Sequence, residues 1–180
     1  MSWSIGPMTG SGILLRNRHR QCVAEKRTVS FSRSATLAWS GDVARGTGTV
    51  AAASRAFTIP ATFPRVAGDP DGATTPEELL AASHAVCFGI GLRSILAQRG
   101  GSASRVRATA TITAEKGRGL IRIKAAHVEG VIDDLTGIDP GELDEIGRAT
   151  EEACTVSAML RASAPVTVRV RVAGDPDDDR

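Results

Sequence analysis

The chain has 180 residues, 42% of them hydrophobic, which is enough to bury the core of one domain. Its formal net charge is +2 and its sequence pI is about 8.6. Residues 1–27 carry five Lys or Arg side chains against one acidic side chain, so the basic pI arises from this N-terminal extension. Two Trp and four Phe are the whole aromatic complement, and none is interleaved with a basic run, which argues against a nucleic-acid-binding surface.

Composition shifts divide the chain into an extension over residues 1–27, one domain over 28–174 and an acidic tail over 175–180. We expect the extension to be disordered; a transit peptide and a true start at a later Met are the alternatives, and no apolar run in it suits a signal peptide. The three cysteines are too widely spaced for a zinc site and too few for a disulfide scaffold. A mostly reduced, intracellular protein, assigned to the cytoplasm, is therefore predicted.

The first part of the domain is predicted to form β-strands. Residues 36–40 and 47–51 flank a Gly-rich turn and predict a hairpin, and residues 55–60 predict a third strand. Residues 61–75 hold too much Pro, Gly and Asp for regular structure and predict a surface loop, which contains Arg65.

A long apolar helix follows this loop and dominates the sequence. Thr75 suits the N-cap, Pro76 the first helical position, and Glu78 completes a Thr-x-x-Glu box, while Gly100 marks the end. Between residues 79 and 96 there is one charged side chain, so the helix should be enclosed all round, by a sheet on one side and a partner on the other. Polar side chains interrupt the stretch, and we do not predict a membrane span.

The second part of the domain alternates strands and a helix. Residues 105–114 and 120–131 predict a long hairpin. Asp139 caps one amphipathic helix that is predicted to continue to Leu160, and residues 166–172 alternate apolar and polar as a final strand. The resulting order, three strands, helix, two strands, helix, strand, predicts an α+β fold with mostly antiparallel sheet and helices on one side.

Cys87, halfway along the long helix, is the candidate nucleophile. Cys87 is some three turns from the start of the helix, and at that distance the helix dipole no longer lowers a thiol pKa. A thiolate at Cys87 therefore needs a nearby cation. Arg65 is the first candidate, with Arg93 and Arg55 less favoured. The alternative is that Cys87 is a small buried hydrophobic residue.

Glu77 and His84 share the helix with Cys87. Glu77 precedes Cys87 by ten positions, about 15 Å along a helix axis, so the two can share a site only if the helices of two chains pack antiparallel. Glu77 could then orient the arginine; otherwise it is a carboxylate favourably placed at a helix N-terminus. His84 lies one turn before Cys87, and we predict a buried, hydrogen-bonded histidine rather than a Cys–His nucleophile pair.

Three segments resemble one family. Residues 76–88, Pro-Glu-Glu-Leu-Leu-Ala-Ala-Ser-His-Ala-Val-Cys-Phe, look like the central-helix signature of the OsmC/Ohr proteins. Residues 153–157, Ala-Cys-Thr-Val-Ser, are similar to the family's Cys-Pro-Val-Ser segment, and residues 39–48 resemble the opening hairpin of the OsmC branch. The likeness spans residues 36–172 and implies antiparallel sheets wrapped around a long central helix in an intertwined homodimer.

The resemblance also implies an activity. The implied activity is that of a cysteine-based peroxidase that reduces organic hydroperoxides, and to some extent hydrogen peroxide, without metal or flavin. Its implied role is in oxidative or osmotic stress defence. Cys87 matches the peroxidatic cysteine, Cys154 the resolving cysteine, Arg65 the activating arginine and Glu77 the glutamate that orients it. The implied Cys87–Cys154 disulfide is reduced by an external dithiol, with a lipoyl protein as one candidate.

Two departures from the family pattern stand out. Thr155 replaces the usual proline, which is expected to loosen the turn around the second cysteine, and the loop over residues 65–77 is longer than usual.

Two other functions stay open. One is a non-catalytic carrier of an apolar ligand, with a pocket lined by Phe63, Val66 and Phe88. The other is an accessory protein that binds nucleic acid through the basic extension.

Overall fold

The computed structural model describes residues 29–43, 45–63, 72–118 and 120–174. Arg65, Val66 and Cys22 lie outside the described residues. The chain divides into two compact units, residues 1–33 and 34–180, and all the helices and strands described below belong to the second unit.

The first sheet is an antiparallel meander of three short strands, β1 (Ala35–Ser40), β2 (Thr47–Ala52) and β3 (Thr58–Ala61). The predicted hairpin is confirmed, with β1 and β2 paired along their length. The third strand begins three residues later than predicted, because Arg55 lies in the turn between β2 and β3 with a left-handed φ of 63°.

The central helix, α1 (Pro76–Gln98), begins and ends where its capping residues predict. The Thr75 hydroxyl accepts a hydrogen bond from the backbone N–H of Glu78 at 3.3 Å. The Glu78 carboxylate accepts from the Thr74 hydroxyl at 2.9 Å. Gly100 follows the helix with a φ of 82°, a conformation that glycine adopts without strain.

The second sheet carries the core of the domain. Its strands β4 (Arg105–Lys116) and β5 (Ile121–Asp133) form the predicted antiparallel hairpin, and β6 (Val166–Val172) pairs with β5. The pairing of β5 with β6 is parallel, while the other strand pairings in the described residues are antiparallel, so the sheets are mostly antiparallel as predicted. The chain between them is helical and crosses over the sheet, so β6 enters in the same direction as β5.

The predicted second helix is in fact three pieces. A short 3₁₀ turn, Pro140–Glu142, leads into α2 (Leu143–Ala153), and α3 (Thr155–Arg161) follows. The start is as predicted, because the Asp139 side chain accepts from the N–H of Gly141 at 2.9 Å and the Glu142 side chain accepts from the N–H of Asp139 at 3.3 Å.

The prediction of one continuous helix was wrong at Cys154, where the backbone is extended with φ −77° and ψ 115°. The apolar periodicity runs through this one-residue break, since Leu143 and Leu160 are both buried, and it therefore gave no sign of an interruption. Ala153, the last residue of α2, is exposed. The break gives α3 its own N-terminus beside α1.

The hydrophobic core lies between α1, the second sheet and α2. Its fully buried members on α1 and β5 are Phe88, Leu92, Leu96, Val128 and Ile132. Gly130 on β5 permits a close approach of α1, since a Cβ there would lie 2.6 Å from Cδ2 of Leu92 and 3.2 Å from Cε1 of Phe88. This packing fixes the part of α1 that carries Cys87.

The opposite face of α1 is open in the single chain. Val86 and Ile90 are 62% and 69% exposed, and they line a groove of about 610 Å³ with the start of β4. In the part of the chain that the structure describes, α1 is the one helix long and apolar enough to cross a membrane by length and composition. The sheet predicted to cover one side of α1 is present; the described residues leave Val86 and Ile90 on the other side exposed.

Candidate active site

The two cysteines of the domain meet although 67 positions separate them in sequence. Their Sγ atoms lie 2.8 Å apart and share a hydrogen bond, and both thiols are free. Cys87 projects from the middle of α1 and is partly exposed, whereas Cys154 is buried at the junction of α2 and α3. The pair that the sequence motifs single out is therefore assembled within one chain.

Hydrogen bonds favour the ionised form of Cys154. Burial acts to raise the pKa of Cys154, but the bond to Cys87 and the backbone and hydroxyl donors of Ser157 outweigh it and lower that pKa, with help from the N–H of Val156. The backbone N–H of Ser157 lies 3.5 Å from the sulfur, because Cys154 is the N-cap of α3.

The pKa of Cys87 moves in the other direction. Burial raises it first, and the bond shared with Cys154 raises it further, while the backbone N–H groups of Val156 and Thr155 lower it in part. In the single chain, Cys87 is therefore the thiol that is harder to ionise. These two amide donors were missed from the sequence, since they depend on the helix break at Cys154, which no residue pattern signals.

The turn around Cys154 is formed with threonine in the position of the family's proline. Thr155 is the first residue of α3, and the N–H of Ala158 donates to the Cys154 carbonyl oxygen at 3.0 Å, so the first helical turn is closed. The expected loosening is not seen. Threonine also retains a backbone N–H, which acts to lower the pKa of Cys87 and which proline would lack.

His84 is the buried, hydrogen-bonded histidine that was predicted. Its Nε2 lies 2.9 Å from Oγ of Ser157, and the residue is fully buried. Burial lowers the pKa of His84, and the negative charge of Glu151 offsets this only in part, so the ring is neutral near pH 7. The imidazole thus reaches the cysteine pair through Ser157.

The charged residues predicted for the site are less well placed in the single chain. Glu77 lies half-buried in the first turn of α1 and forms no ion pair within the described residues. Arg93 donates to the carbonyl oxygen of Ala103, and Arg55 occupies the turn after β2. Within the described ranges no arginine bonds Cys87, and Arg65, the first candidate, lies outside them.

An apolar pocket of about 440 Å³ lies between the first sheet and the start of α1. Its lining includes Leu37, Trp39, Val50, Phe63 and Leu79. Of the three residues predicted to line a ligand pocket, Phe63 does so. Phe88 does not, because it is fully buried in the core, and Val66 lies outside the described residues.

Two thiols in contact, one on α1 and one between α2 and α3, define a thiol-based redox site, because such a pair can be oxidised to a disulfide and reduced again. Residues 68–169 match the model of the OsmC family, described as OsmC-like protein. The match covers more than half of the chain, and the protein belongs to this family. The family predicted from the sequence motifs is thereby confirmed.

Curated relatives carry the same family name. The chain is 27% identical to Peroxiredoxin OsmC of Escherichia coli (strain K12) over 133 residues, which are 74% of this chain and 92% of the relative. Peroxiredoxin OsmC of Shigella flexneri matches to the same extent. Membership of the family and these relatives confirm the predicted enzyme class, a thiol peroxidase.

Solved structures share the fold. An organic hydroperoxide resistance protein OsmC from Legionella pneumophila has a TM-score of 0.64 at 23% identity, covering 81% of this chain and all of that one. An organic hydroperoxide resistance protein from Elizabethkingia anophelis has a TM-score of 0.65 at 18% identity, covering 81% of this chain and 99% of that one. The predicted α+β, OsmC-like fold is confirmed.

Proposed function

We propose that this protein reduces organic hydroperoxides, and hydrogen peroxide less well, through the Cys87–Cys154 pair. The contact of the two sulfurs at 2.8 Å carries the proposal, because a buried thiol beside a partly exposed one suits a resolving and a peroxidatic cysteine. The relatives named peroxiredoxin and the structural neighbours named as organic hydroperoxide resistance proteins support the choice of substrate.

The reaction divides between the two cysteines according to their exposure. Cys87 is partly exposed and meets the peroxide first: its thiolate attacks the O–O bond, an alcohol leaves, and Cys87 becomes a sulfenic acid. The buried Cys154 then attacks the Cys87 sulfur, so an S–S bond forms and the oxygen leaves as water. An external dithiol, for which a lipoyl protein is one candidate, returns the pair to thiols.

A positive charge is needed for the first step, because the pKa of Cys87 is raised in the single chain. We assign this charge to Arg65, oriented by Glu77. Glu77 is about 15 Å from Cys87 along the helix axis, so a site that uses both requires two chains. The exposed apolar face of α1 at Val86 and Ile90 offers a surface for a second copy, and we propose a cytoplasmic homodimer.

Peroxide selectivity tests this proposal. We expect kcat/KM for cumene hydroperoxide to exceed that for hydrogen peroxide by about tenfold or more. Exposed apolar side chains, Val86 and Ile90, neighbour Cys87 on α1, and burial of the cumyl group against them would stabilise the complex. The measurement is consumption of each peroxide at saturating dithiol. Equal or faster consumption of hydrogen peroxide would refute the substrate assignment.

The apolar pocket of about 440 Å³ supports a second candidate, a non-catalytic carrier of an apolar ligand. A carrier would consume neither peroxide in the same assay. Both of its thiols would also react slowly with iodoacetamide near neutral pH, and no Cys87–Cys154 disulfide would follow peroxide treatment.

A further inference from the structure

α3 begins at a break in the chain and does not continue α2. Cys154 lies between the two helices with an extended backbone, φ −77° and ψ 115°. A helix that ran through this residue would fix the direction of α3 by its own backbone hydrogen bonds, whereas an extended residue leaves α3 free to turn about its φ and ψ angles. The distance from Cys154 to Cys87 therefore depends on what holds α3 in place.

Two side-chain contacts tie α3 to its neighbouring helices in the described part of the chain. Nε2 of His84 on α1 lies 2.9 Å from Oγ of Ser157. Arg161, the last residue of α3, donates to the carboxylate of Glu151 on α2. His84 and Ser157 are fully buried, whereas the Arg161 side chain is 40% exposed, and exposed ion pairs contribute little. The hydrogen bond between His84 and Ser157 is therefore the tie that matters more.

This hydrogen bond lies next to the contact of the two sulfurs. His84 precedes Cys87 by three residues, and Ser157 follows Cys154 by three. Residues three apart are neighbours on a helix surface. α1 is therefore joined to the start of α3 at two adjacent points, by the imidazole and the hydroxyl at 2.9 Å and by the sulfurs at 2.8 Å. A disulfide requires the sulfurs to approach by less than about 1 Å more.

We propose that the hydrogen bond between His84 and Ser157 is a positioning contact that holds Cys154 within bonding distance of Cys87. Both members of the contact are positioning residues, and neither has a chemical step of its own. The inference rests on the proposed peroxidase function and concerns its second step. It requires no particular tautomer of His84, because a serine hydroxyl can donate to a ring nitrogen or accept from one.

Disulfide formation is the step that depends on this contact. The Cys154 sulfur bonds the sulfur of the Cys87 sulfenic acid, the S–O bond breaks, and the hydroxyl group leaves with the proton of the Cys154 thiol as water. A second peroxide molecule competes for the same sulfenic acid and oxidises it to sulfinic acid. The fraction of Cys87 that becomes sulfinic acid therefore measures how often Cys154 is within reach.

Over-oxidation at rising peroxide concentration measures this competition. Reduced full-length protein is treated with a series of cumene hydroperoxide concentrations, and mass spectrometry gives the ratio of disulfide to Cys87 sulfinic acid. In Ser157→Ala and in His84→Leu we expect equal amounts of the two products at an about tenfold lower peroxide concentration than in the parent, because one buried hydrogen bond is lost.

Three further variants separate positioning from a loss of stability alone. His84→Gln keeps a polar group near the position of Nε2 and should stay within about threefold of the parent. The double variant, His84→Leu with Ser157→Ala, should over-oxidise no more readily than either single variant, because all three lose the same contact. Thr150→Val removes another fully buried hydroxyl, which bonds the Ile146 carbonyl oxygen at 2.7 Å within α2, and should over-oxidise like the parent.

The equilibrium between the two thiols and their disulfide tests the contact without peroxide. In a glutathione redox buffer, both single variants should form the Cys87–Cys154 disulfide with an about tenfold smaller equilibrium constant, a shift of about 30 mV in midpoint potential, and Thr150→Val should not. A parent protein that forms this disulfide but consumes no peroxide would defeat the proposed function alone.

Parent-like midpoints or parent-like over-oxidation in both single variants would overturn the positioning role of the contact. Additive effects in the double variant would overturn it as well, since the two side chains would then act separately. If His84→Leu does not fold, Ser157→Ala decides between these outcomes, because it removes a single oxygen atom.

Discussion

A Cys87→Ser protein is expected to lose peroxidase turnover by a factor on the order of a thousand or more, because the hydroxyl of serine is not ionised near neutral pH and cannot attack the O–O bond. Peroxide consumption at saturating dithiol measures the loss. The fold should survive, since Cys87 is partly exposed and serine is similar in size. Parent-like consumption by this variant would remove the proposed function.

Cys154→Ser is the matched variant, because it removes the other half of the same sulfur contact. We expect its first turnover to proceed and the second to stall, with Cys87 trapped as a sulfenic acid or oxidised further. Mass spectrometry of the protein after peroxide distinguishes the two variants. If Cys154→Ser turned over steadily with the dithiol, Cys154 would not be the resolving thiol.

Phe88→Ala is expected to lower the free energy of unfolding by about 3–5 kcal/mol, the largest stability effect predicted for a single side chain here. Phe88 is fully buried between α1 and the second sheet, and its ring lies close to Gly130 of β5, so its removal leaves a cavity that this packing cannot readily fill. Urea unfolding of the reduced protein measures the loss.

Phe57→Ala is the control for that experiment, because the same atoms are removed from a residue that is 39% exposed. Its loss should be about 1 kcal/mol or less. Similar losses for both variants would mean that α1 is not anchored through Phe88. The position of Cys87, the residue just before Phe88 on the helix, would then need another explanation.

Local sequence signals predicted most elements of the fold. Thr75 and Gly100 define the ends of α1 because capping depends on neighbouring residues, and the alternation in residues 166–172 gives β6 with the observed ends. The parallel pairing of β6 with β5 could not be predicted in this way. It depends on the path of the intervening helices across the sheet, which is a tertiary property.

The sequence predicted the pair of cysteines with Arg65 and Glu77 as its charged residues, but not the hydrogen-bond donors around the two sulfurs. The flanking motifs of Cys87 and Cys154 are visible in the sequence, and the structure brings the two sulfurs together. The break between α2 and α3 is not visible, because the buried periodicity continues through it. The backbone donors at the start of α3, and the link from His84 through Ser157, were therefore missed.

The most direct test of this account is mass spectrometry of the reduced protein after one equivalent of cumene hydroperoxide and digestion without reductant. The contact of the two sulfurs predicts one new disulfide, between the peptides that contain Cys87 and Cys154. Peroxide consumed with both thiols still free, or with Cys87 joined to a different cysteine, would contradict it.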